Sequence, residues 1–313
     1  MRHVFIDGAA GTTGLEIRDR LAGRSDLSLI ELPEARRKDP QARREALNDA
    51  DAVILCLPDD AAREAVSLIA NDTTRVIDAS TAHRTAEGWA YGFAELEADQ
   101  RQILSGAKRI SNPGCYPTGF LALVRPLVRA GVIPADWPLT VNATSGYSGG
   151  GKAMIAEFEN ADAPDAADTA FRLYALGLGH KHVGEMQAHA GLAHPPIFMP
   201  AVARTYRGML VEVPLQLRAM PGTLGLSAIR KALSDAYEGS ALVSVNTDEL
   251  LASVTIERQA GTDRLELFVF GSEAAGQARL VAALDNLGKG AAGAAVQNLN
   301  IALGLEEASG LRM

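Results

Sequence analysis

His3-Val-Phe-Ile6 leads directly into Asp7-Gly8-Ala9-Ala10-Gly11-Thr12-Thr13-Gly14, which is followed by Leu15-Glu-Ile-Arg-Asp-Arg-Leu21. An apolar strand, a glycine loop and a helix in this order are typical of the start of a dinucleotide-binding domain. The glycines permit a tight turn, and the helix N-terminus faces a pyrophosphate. The alternative is an ordinary strand-to-helix turn. The cofactor-contacting residues expected here are Gly8, Ala10, Gly11, Thr12, Thr13 and Gly14.

The second strand, Leu27–Ile30, bears on which dinucleotide is bound. Glu31 follows it, and an acid at this position usually binds the ribose 2′-hydroxyl of NAD. Arg36, Arg37 and Lys38 come soon after, and guanidinium groups suit the 2′-phosphate of NADP. We therefore expect NADP, with Arg36 and Arg37 as contacts. The alternative is a solvated run of charges on a loop.

Further strands alternate with helical stretches up to about residue 110. The apolar run 51–57 ends at Pro58, and 75–79 forms the next strand before Ser80 and Arg84. Ligands gather at the carboxyl ends of parallel strands, so we expect Pro58 and Ser80 to contact the cofactor. Ser80 and Arg84 could also meet the substrate, or they could be a loop cap and a surface arginine. The pattern predicts a Rossmann-type, doubly wound parallel sheet.

One cysteine lies between two prolines in Ser111-Asn112-Pro-Gly-Cys115-Tyr-Pro117-Thr-Gly119, ahead of an apolar run that is compatible with a helix. Pro117 is tolerated only in a first helical turn. Cys115 should therefore lie at a helix N-terminus, where the macrodipole and free N–H groups favour a thiolate and can receive an oxyanion. The alternative is a buried cysteine that only packs.

The second half of the chain predicts an α+β domain with a mostly antiparallel or mixed sheet. Alternating runs occur at 139–144, 202–217, 252–257 and 264–270, and 226–236 is helical. The first run ends in a loop rich in glycine and serine, Ser145 to Lys152, which suits an anionic group or is a flexible connection.

Two histidines and a glutamate lie close together at His180, His182 and Glu185. Acid–base catalysis or substrate contact is one reading, surface or core histidines a second, and a metal site a third, although the spacing is not that of a zinc motif. The segment 285–298 then begins a helix of small residues that could approach a flat partner such as a nicotinamide. We expect one domain from 1–114 plus 285–313 and another from 115–284.

The totals exclude several classes of protein. A net charge of −8 over 313 residues offers no basic stripe for nucleic acid. Two cysteines make a disulfide scaffold implausible and suggest the cytoplasm. Residues 1–20 lack the apolar core of a signal peptide, and no apolar run is long enough to span a membrane.

Taken together, these motifs make the chain similar to the N-acetyl-γ-glutamyl-phosphate reductase family in its shorter form. The stretches that carry the resemblance are Gly8–Gly14, Val76–Arg84, Tyr91–Leu96, Asn112–Thr118, Ser145–Lys152, His180–Glu185 and 285–298.

The resemblance implies NADPH-dependent reduction of N-acetylglutamyl 5-phosphate to the 5-semialdehyde through a thioester on Cys115. It implies His182 as the acid–base group and Glu185 as the residue that orients it. We expect no metal, because the spacing of these residues is not that of a zinc motif. The substrate contacts it implies are Ser80, Arg84, Asn112, Ser145, Lys152 and His180. Further cofactor contacts are Asn286, Lys289 and Gly290. A homodimer or homotetramer that binds only small molecules is expected.

Two other functions compete with this one. Aspartate-semialdehyde dehydrogenase shares the fold plan and the cysteine thioester, and a catalytically silent nucleotide sensor could share the fold, because fold does not fix function.

Overall fold

The structure, a computed structural model, describes residues 1–37, 39–222, 225–248 and 250–313. Lys38, one of the basic residues considered for the cofactor, lies outside the described residues. The chain divides into two compact units. The first contains Met1–Gly114 and Ala291–Arg312, and the second contains Cys115–Gly290 and Met313.

The first unit is built on a six-stranded sheet in the order β2-β1-β3-β4-β6-β5, in which every pairing is parallel. Its strands are β1 (Arg2–Asp7), β2 (Leu27–Ile30), β3 (Ala52–Leu55), β4 (Arg75–Asp78), β5 (Ala90–Tyr91) and β6 (Arg109–Ser111). Its helices are α1 (Thr12–Leu21), α2 (Pro40–Asp49), α3 (Asp59–Leu68), α4 (Gln100–Gly106) and α9 (Gly293–Leu303). The predicted doubly wound parallel sheet is confirmed.

Both faces of this sheet are covered by apolar side chains. Ile54 and Ile77 belong to a core that includes residues of α1 and α9, while Val53 and Val76 belong to a second core with residues of α2 and α3. Successive side chains of a strand point to opposite faces, so a strand buried on both sides must be apolar throughout. This is why β3 reads as an uninterrupted apolar run.

The second unit contains a seven-stranded sheet in the order β11-β12-β13-β10-β7-β9-β8. Its strands are β7 (Thr140–Gly146), β8 (Phe171–Leu173), β9 (Ile197–Ala203), β10 (Met209–Gln216), β11 (Val243–Val245), β12 (Leu265–Ser272) and β13 (Gln277–Leu284). Its helices are α5 (Cys115–Arg129), α6 (Gly151–Glu159), α7 (His182–Ala190) and α8 (Leu226–Ala236). Four pairings are antiparallel and two are parallel, so the predicted mixed sheet is confirmed.

The prediction of a strand at 252–257 is wrong. Strand β12 pairs with β11 on one side and with β13 on the other, so neither of its edges can accept this segment. Residues 255–260 instead form turns, closed by hydrogen bonds from Arg258 N to Thr255 O and from Ala260 N to Glu257 O.

The predicted single run 202–217 is also interrupted, because β9 ends at Ala203 and β10 begins at Met209. Gly208, with φ of 116°, lies in the turn between them, where an added Cβ would lie 2.3 Å from Ile256 O. Only glycine fits this turn.

Residues 285–290 belong to the second unit, whereas the sequence placed them with the first. Their side chains explain this. The Asp285 carboxylate accepts hydrogen bonds from Gly261 N at 2.5 Å and from Arg207 at 3.3 Å. The Asn286 side chain accepts one from Gly208 N at 2.9 Å. These bonds fasten the segment to the loops of the second unit.

Among the described residues, no helix combines the length and the apolar composition that crossing a bilayer requires.

Two helical glycines of the second unit give a test of its packing. A Cβ on Gly119, in α5, would lie 2.7 Å from Val211 Cγ2, whereas nothing lies within 4 Å of a Cβ on Gly184, in α7. We expect Gly119→Ala to lower the free energy of unfolding by about 1 to 3 kcal/mol through overpacking. We expect Gly184→Ala to raise it by about 0.5 to 1 kcal/mol through helix propensity. Urea unfolding of both variants measures the two changes, and a Gly119→Ala variant as stable as the parent would contradict this packing.

Candidate active site

Cys115 is the first residue of α5 and is partly exposed. Pro117 lies in the first turn of the helix, as the sequence predicts, where its missing N–H costs no helical hydrogen bond. The N-terminal end of a helix attracts negative charge, because its first N–H groups point out of the helix and the macrodipole is positive there. The thiol therefore lies where a thiolate and an oxyanion are both favoured.

Gly290 packs directly against Cys115. A Cβ built on Gly290 would lie 2.8 Å from the Cys115 Cβ and 3.0 Å from Asp285 O, which leaves no room for any side chain. Asp285 is fully buried and also accepts hydrogen bonds from Leu287 N and Gly288 N. The sequence marked Gly290 as a cofactor contact, and within this unit it supports the cysteine.

An aromatic cluster lies beside the cysteine, formed by Tyr116, Tyr174 and Phe198 together with His180 and His182. The Tyr116 ring centroid is 5.1 Å from that of Phe198, 5.8 Å from His182 and 6.2 Å from His180. The two imidazoles are 4.7 Å apart. The Tyr174 hydroxyl donates to the Tyr116 hydroxyl at 2.9 Å. The cluster therefore brings both predicted histidines to the residue that follows Cys115.

The two tyrosines of this cluster remain neutral phenols at physiological pH. Burial, together with the charges of Tyr174 and Cys115, raises the pKa of Tyr116 well above its ordinary value, and a hydrogen bond with Ser145 acts in the opposite direction. Burial raises the pKa of Tyr174 to about 12, with Cys115 contributing in the same direction. Both phenols therefore serve as hydrogen-bonding groups and not as bases.

His180 and His182 differ in their hydrogen bonds and in their position relative to α7. The His180 Nδ1 atom accepts a hydrogen bond from the backbone N–H of His182 at 3.1 Å. In neutral His180 the proton must then be on Nε2, which makes that atom a donor. His182 begins α7 and is buried, and buried Glu185 follows it after about one helical turn. The i, i+3 spacing puts these two side chains on one face of α7.

Three further predicted ligand contacts of the second unit, Ser145, Lys152 and Asn286, differ in burial and in hydrogen bonding. Ser145 is buried, and its hydroxyl donates to Gly146 O at 2.9 Å. Lys152, near the start of α6, is exposed and forms no ion pair within the described part of the chain. The Asn286 amide is already used, because it donates to the Ser148 hydroxyl at 2.9 Å in addition to accepting from Gly208 N.

The other predicted substrate contacts belong to the first unit, and they too make internal hydrogen bonds. The Ser80 hydroxyl donates to the buried Asp78 carboxylate at 2.7 Å. Arg84 Nε donates to Asn112 O at 3.1 Å. The Asn112 amide donates to Ala291 O at 3.0 Å, and its oxygen accepts from Asn298 at 3.0 Å. These three residues fix the loops at the carboxyl ends of the strands.

A cavity of about 650 Å³ opens beside the glycine loop of the first unit. Gly8 has φ of 88°, and a Cβ on it would lie 2.3 Å from Cys56 O, so the loop needs glycine there. Gly11 precedes the first turn of α1, which contains Thr12, Thr13 and Gly14. The cavity is lined by Phe5, Ile6, Asp7, Gly8, Ala9, Ala10, Arg18, Leu29, Ile30, Glu31, Leu32, Glu34, Ala35, Arg37, Arg43, Leu57 and Ala61.

Of the remaining predicted cofactor residues, Arg37 lines this cavity, and Arg36, Pro58 and Lys289 do not. Arg37 lines this cavity, whereas the Arg36 side chain points to Asp39 at 3.3 Å and Glu45 at 4.0 Å and is not among the lining residues. Pro58 precedes α3 and also lies outside the lining. Lys289 is buried, with 1% of its surface exposed.

Cys56 contrasts with Cys115. Burial, followed by the charges of Asp78 and Asp7, raises the pKa of the Cys56 thiol to about 12. A thiol with this pKa stays protonated at neutral pH and is a poor nucleophile. Of the two cysteines, Cys115 is therefore the one suited to covalent chemistry.

Sequence reasoning missed several residues of these sites. Tyr116 could have been found as the neighbour of the cysteine, but nothing local marked Tyr174 or Phe198, because they reach the cluster through β8 and β9. The sequence analysis places Arg18 in the helix after the glycine loop and assigns it no role in a site. Among the described residues, no three His, Cys, Asp or Glu side chains form a group that could hold a metal ion.

Two family models match the chain. Residues 3–103 match the semialdehyde dehydrogenase NAD binding domain, and residues 115–286 match the semialdehyde dehydrogenase dimerisation domain. Solved structures of similar fold include aspartate semialdehyde dehydrogenase II from Vibrio cholerae, with a TM-score of 0.71 at 15% identity over 97% of this chain and 98% of that one. Another is aspartate semialdehyde dehydrogenase from Candida albicans, with a TM-score of 0.64 at 14% identity over 96% and 98%. These likenesses show the fold.

Much higher identity links the chain to N-acetyl-gamma-glutamyl-phosphate reductases. The protein of that name from Brucella anthropi is 53% identical over 96% of this chain and 98% of its own length. The one from Rhizobium meliloti is 51% identical over the same shares. Identity at this level along nearly the whole length, together with the two matching domains, shows that the chain belongs to the N-acetyl-gamma-glutamyl-phosphate reductase family.

Proposed function

We propose that this protein reduces N-acetyl-L-glutamyl 5-phosphate to N-acetyl-L-glutamate 5-semialdehyde with release of phosphate, as a step of arginine biosynthesis. The observation that carries the proposal is the position of Cys115 at the start of α5, directly before Tyr116, whose ring lies 5.8 Å from that of His182 and 6.2 Å from that of His180. The names of the relatives supply the substrate, because they share about half of their residues with this chain along nearly its whole length.

The first half of the reaction is acyl transfer to sulfur. The Cys115 thiolate attacks the acyl carbon, the carbonyl oxygen takes the negative charge, and the N–H groups at the start of α5 can stabilise it. The bond from carbon to the phosphate oxygen then breaks, phosphate leaves, and a thioester remains on Cys115. A thiolate suits this step because it is a strong nucleophile that needs little activation.

The second half reduces the thioester. NADPH, when bound, supplies a hydride to the thioester carbon. The resulting thiohemiacetal collapses when its carbon–sulfur bond breaks, which yields the aldehyde and returns the sulfur as a thiolate. A thiolate sulfur is polarisable, which makes it a strong nucleophile, and it is a weaker base than an alkoxide, which makes it a good leaving group here.

His182 is proposed as the acid–base group, with Glu185 orienting it. The support comes from His180, whose Nδ1 is engaged by the backbone N–H of His182. Neutral His180 can therefore donate from Nε2 but cannot accept a proton there, which suits it to hold a substrate oxygen. Burial of His182 and Glu185 keeps the pair away from bulk water, which strengthens any interaction between them.

A nicotinamide cofactor fits the first unit. The cavity beside Gly8 and the first turn of α1 offer the close backbone approach and the free N–H groups that a pyrophosphate needs. The apolar residues Leu32, Leu57 and Ala61 line the same cavity and suit an adenine ring. NADP in preference to NAD is part of the proposal, supported by the arginines of this cavity.

Cytoplasmic localisation belongs to the proposal as well. Both cysteines are free thiols, which matches a reducing compartment. The chemistry requires Cys115 in that reduced form.

Homo-oligomerisation is proposed through one face of the second sheet. Phe171 and Leu173 of β8 and Ile197 and Met199 of β9 are 40% to 60% exposed. Directly opposite residues of paired strands share a face, and Phe171 lies opposite Ala203 while Leu173 lies opposite Ala201. The four apolar side chains therefore form one exposed stripe, in the region that matches a dimerisation domain.

We expect Ile197→Asp combined with Met199→Asp to reduce the oligomer to a single chain, because buried unpaired carboxylates oppose association. Light scattering measures the mass. Ile103→Asp is the control, since Ile103 is 46% exposed on α4 of the first unit. A parent protein with the mass of one chain would contradict the proposal.

The main test of function is the reverse reaction. We expect NADP reduction with N-acetylglutamate 5-semialdehyde to require inorganic phosphate, because the acyl group must leave Cys115 as an acyl phosphate. We expect Cys115→Ser to abolish it, as the alcohol is not ionised at neutral pH. Absorbance at the NADPH band measures the rate, with NAD and with aspartate semialdehyde assayed in parallel. Turnover with aspartate semialdehyde but not with N-acetylglutamate 5-semialdehyde would show that the proposed substrate is wrong. Cofactor binding without turnover of either aldehyde would favour a nucleotide sensor.

We expect substitutions of His180 and His182 to affect kcat, KM and the pH–rate profile differently. We expect His182→Asn to lower kcat about 10²- to 10⁴-fold, the range typical of acid–base groups, and to remove one limb of the pH–rate profile. His180→Asn keeps an acceptor for the His182 N–H, so it should raise KM with a smaller change in kcat. Steady-state kinetics across pH distinguish the two. A His180→Asn variant that loses the pH limb, while His182→Asn keeps it, would reverse these roles.

A further inference from the structure

An ion pair lies in the cavity of the first unit, next to the end of β2. Arg18 of α1 donates to the Glu31 carboxylate at 2.8 Å, and the two side chains are 41% and 64% exposed. Both residues line the cavity. Because the pair faces open space on one side, the guanidinium has donors left for a ligand.

Glu31 by itself would favour NAD. It follows β2 directly and comes about 20 residues after the glycine loop, which is where an acid usually binds the ribose 2′-hydroxyl. The same carboxylate would repel a 2′-phosphate. Arg18 neutralises the charge of Glu31. Whether the site prefers a 2′-phosphate or a 2′-hydroxyl on the ribose therefore depends on the ion pair between Arg18 and Glu31.

The other cations of the cavity are placed differently. Arg43 donates to the nearly buried Asp7 carboxylate at 2.9 Å and 3.2 Å, so its charge is already matched. Arg37 lines the cavity and forms no ion pair within the described residues. Arg36 contacts Asp39 and is not part of the lining. Arg18 and Arg37 are therefore the guanidinium groups placed to meet a phosphate here.

We propose that Arg18 determines the selectivity for NADP over NAD. One N–H group of its guanidinium donates to Glu31, and its other N–H groups donate to the 2′-phosphate. Arg37 adds a second positive charge. The arrangement suits arginine better than lysine, because a guanidinium can serve two oxyanions at once in a fixed geometry. This inference rests on the proposed use of NADP by this protein.

The test measures binding without turnover. Titration calorimetry on the full-length protein compares adenosine 2′,5′-bisphosphate with adenosine 5′-monophosphate, which differ only in the 2′-phosphate. We expect the parent protein to prefer the bisphosphate. Arg18→Ala should weaken bisphosphate binding about tenfold to a hundredfold, the range for a lost charged hydrogen bond, and leave the monophosphate within about twofold. Glu31→Gln should strengthen bisphosphate binding, because it removes the repelling charge.

Two further variants sharpen the result. Arg44→Ala removes an exposed positive charge of α2 that does not line the cavity, and it should change neither affinity. Arg36→Ala tests one of the two arginines that the sequence analysis expects to contact the cofactor. A loss at Arg36→Ala equal to or larger than that at Arg18→Ala would overturn the inference, as would an Arg18→Ala variant that keeps the parent's preference.

The outcome is separable from that of the reductase assay. Equal binding of the two nucleotides by the parent protein would overturn NADP selectivity and this inference together. The phosphate-dependent activity could then still be measured with NAD, so the proposed reaction would be judged by its own assay.

Discussion

The second unit depends on close packing around the first turns of α5, at two positions where only glycine fits. Gly119 lets the helix lie against Val211 of the sheet, and Gly290 lets the segment after β13 lie against Cys115 itself. Neither position has room for a side chain. The helix N-terminus is therefore held in place from the sheet below and from the 285–290 segment beside it. The position of Cys115 is therefore fixed by the packing of α5, and the residue itself needs no strained conformation.

The surroundings of the cysteine are aromatic and largely buried, which has consequences for charge. Phenols whose pKa values are raised stay neutral, so the negative charge of the reaction is left to sulfur, to the transient oxyanion and to phosphate. In such an environment a few oriented donors have large effects, because little water competes with them. We propose that the helix N–H groups, His180 and His182 act as such donors.

The sequence predicts local structure better than it predicts the hydrogen-bond partners of polar side chains. The position of Cys115 at a helix start follows from Pro117 and the apolar run behind it, and the parallel sheet follows from strands that are apolar throughout. The sequence analysis predicts a strand at 252–257 and none at the residues of β13, because alternation alone does not show which segment pairs with a neighbouring strand. Ser80, Asn112 and Asn286 remain predicted ligand contacts, but the sequence does not indicate the hydrogen bonds that their side chains make within their own units. A polar residue beside a site has the same sequence pattern whether it binds a ligand or holds a loop.

The proposed reaction requires an acyl group to pass through the sulfur of Cys115, and mass spectrometry can detect that group directly. The full-length protein is incubated with N-acetylglutamate 5-semialdehyde and NADP in the absence of phosphate, quenched in acid and digested. The account predicts a hydroxylamine-sensitive N-acetylglutamyl group on the peptide that contains Cys115, and none on the peptide that contains Cys56. An acyl group on another residue, or undiminished turnover by Cys115→Ser, would contradict it.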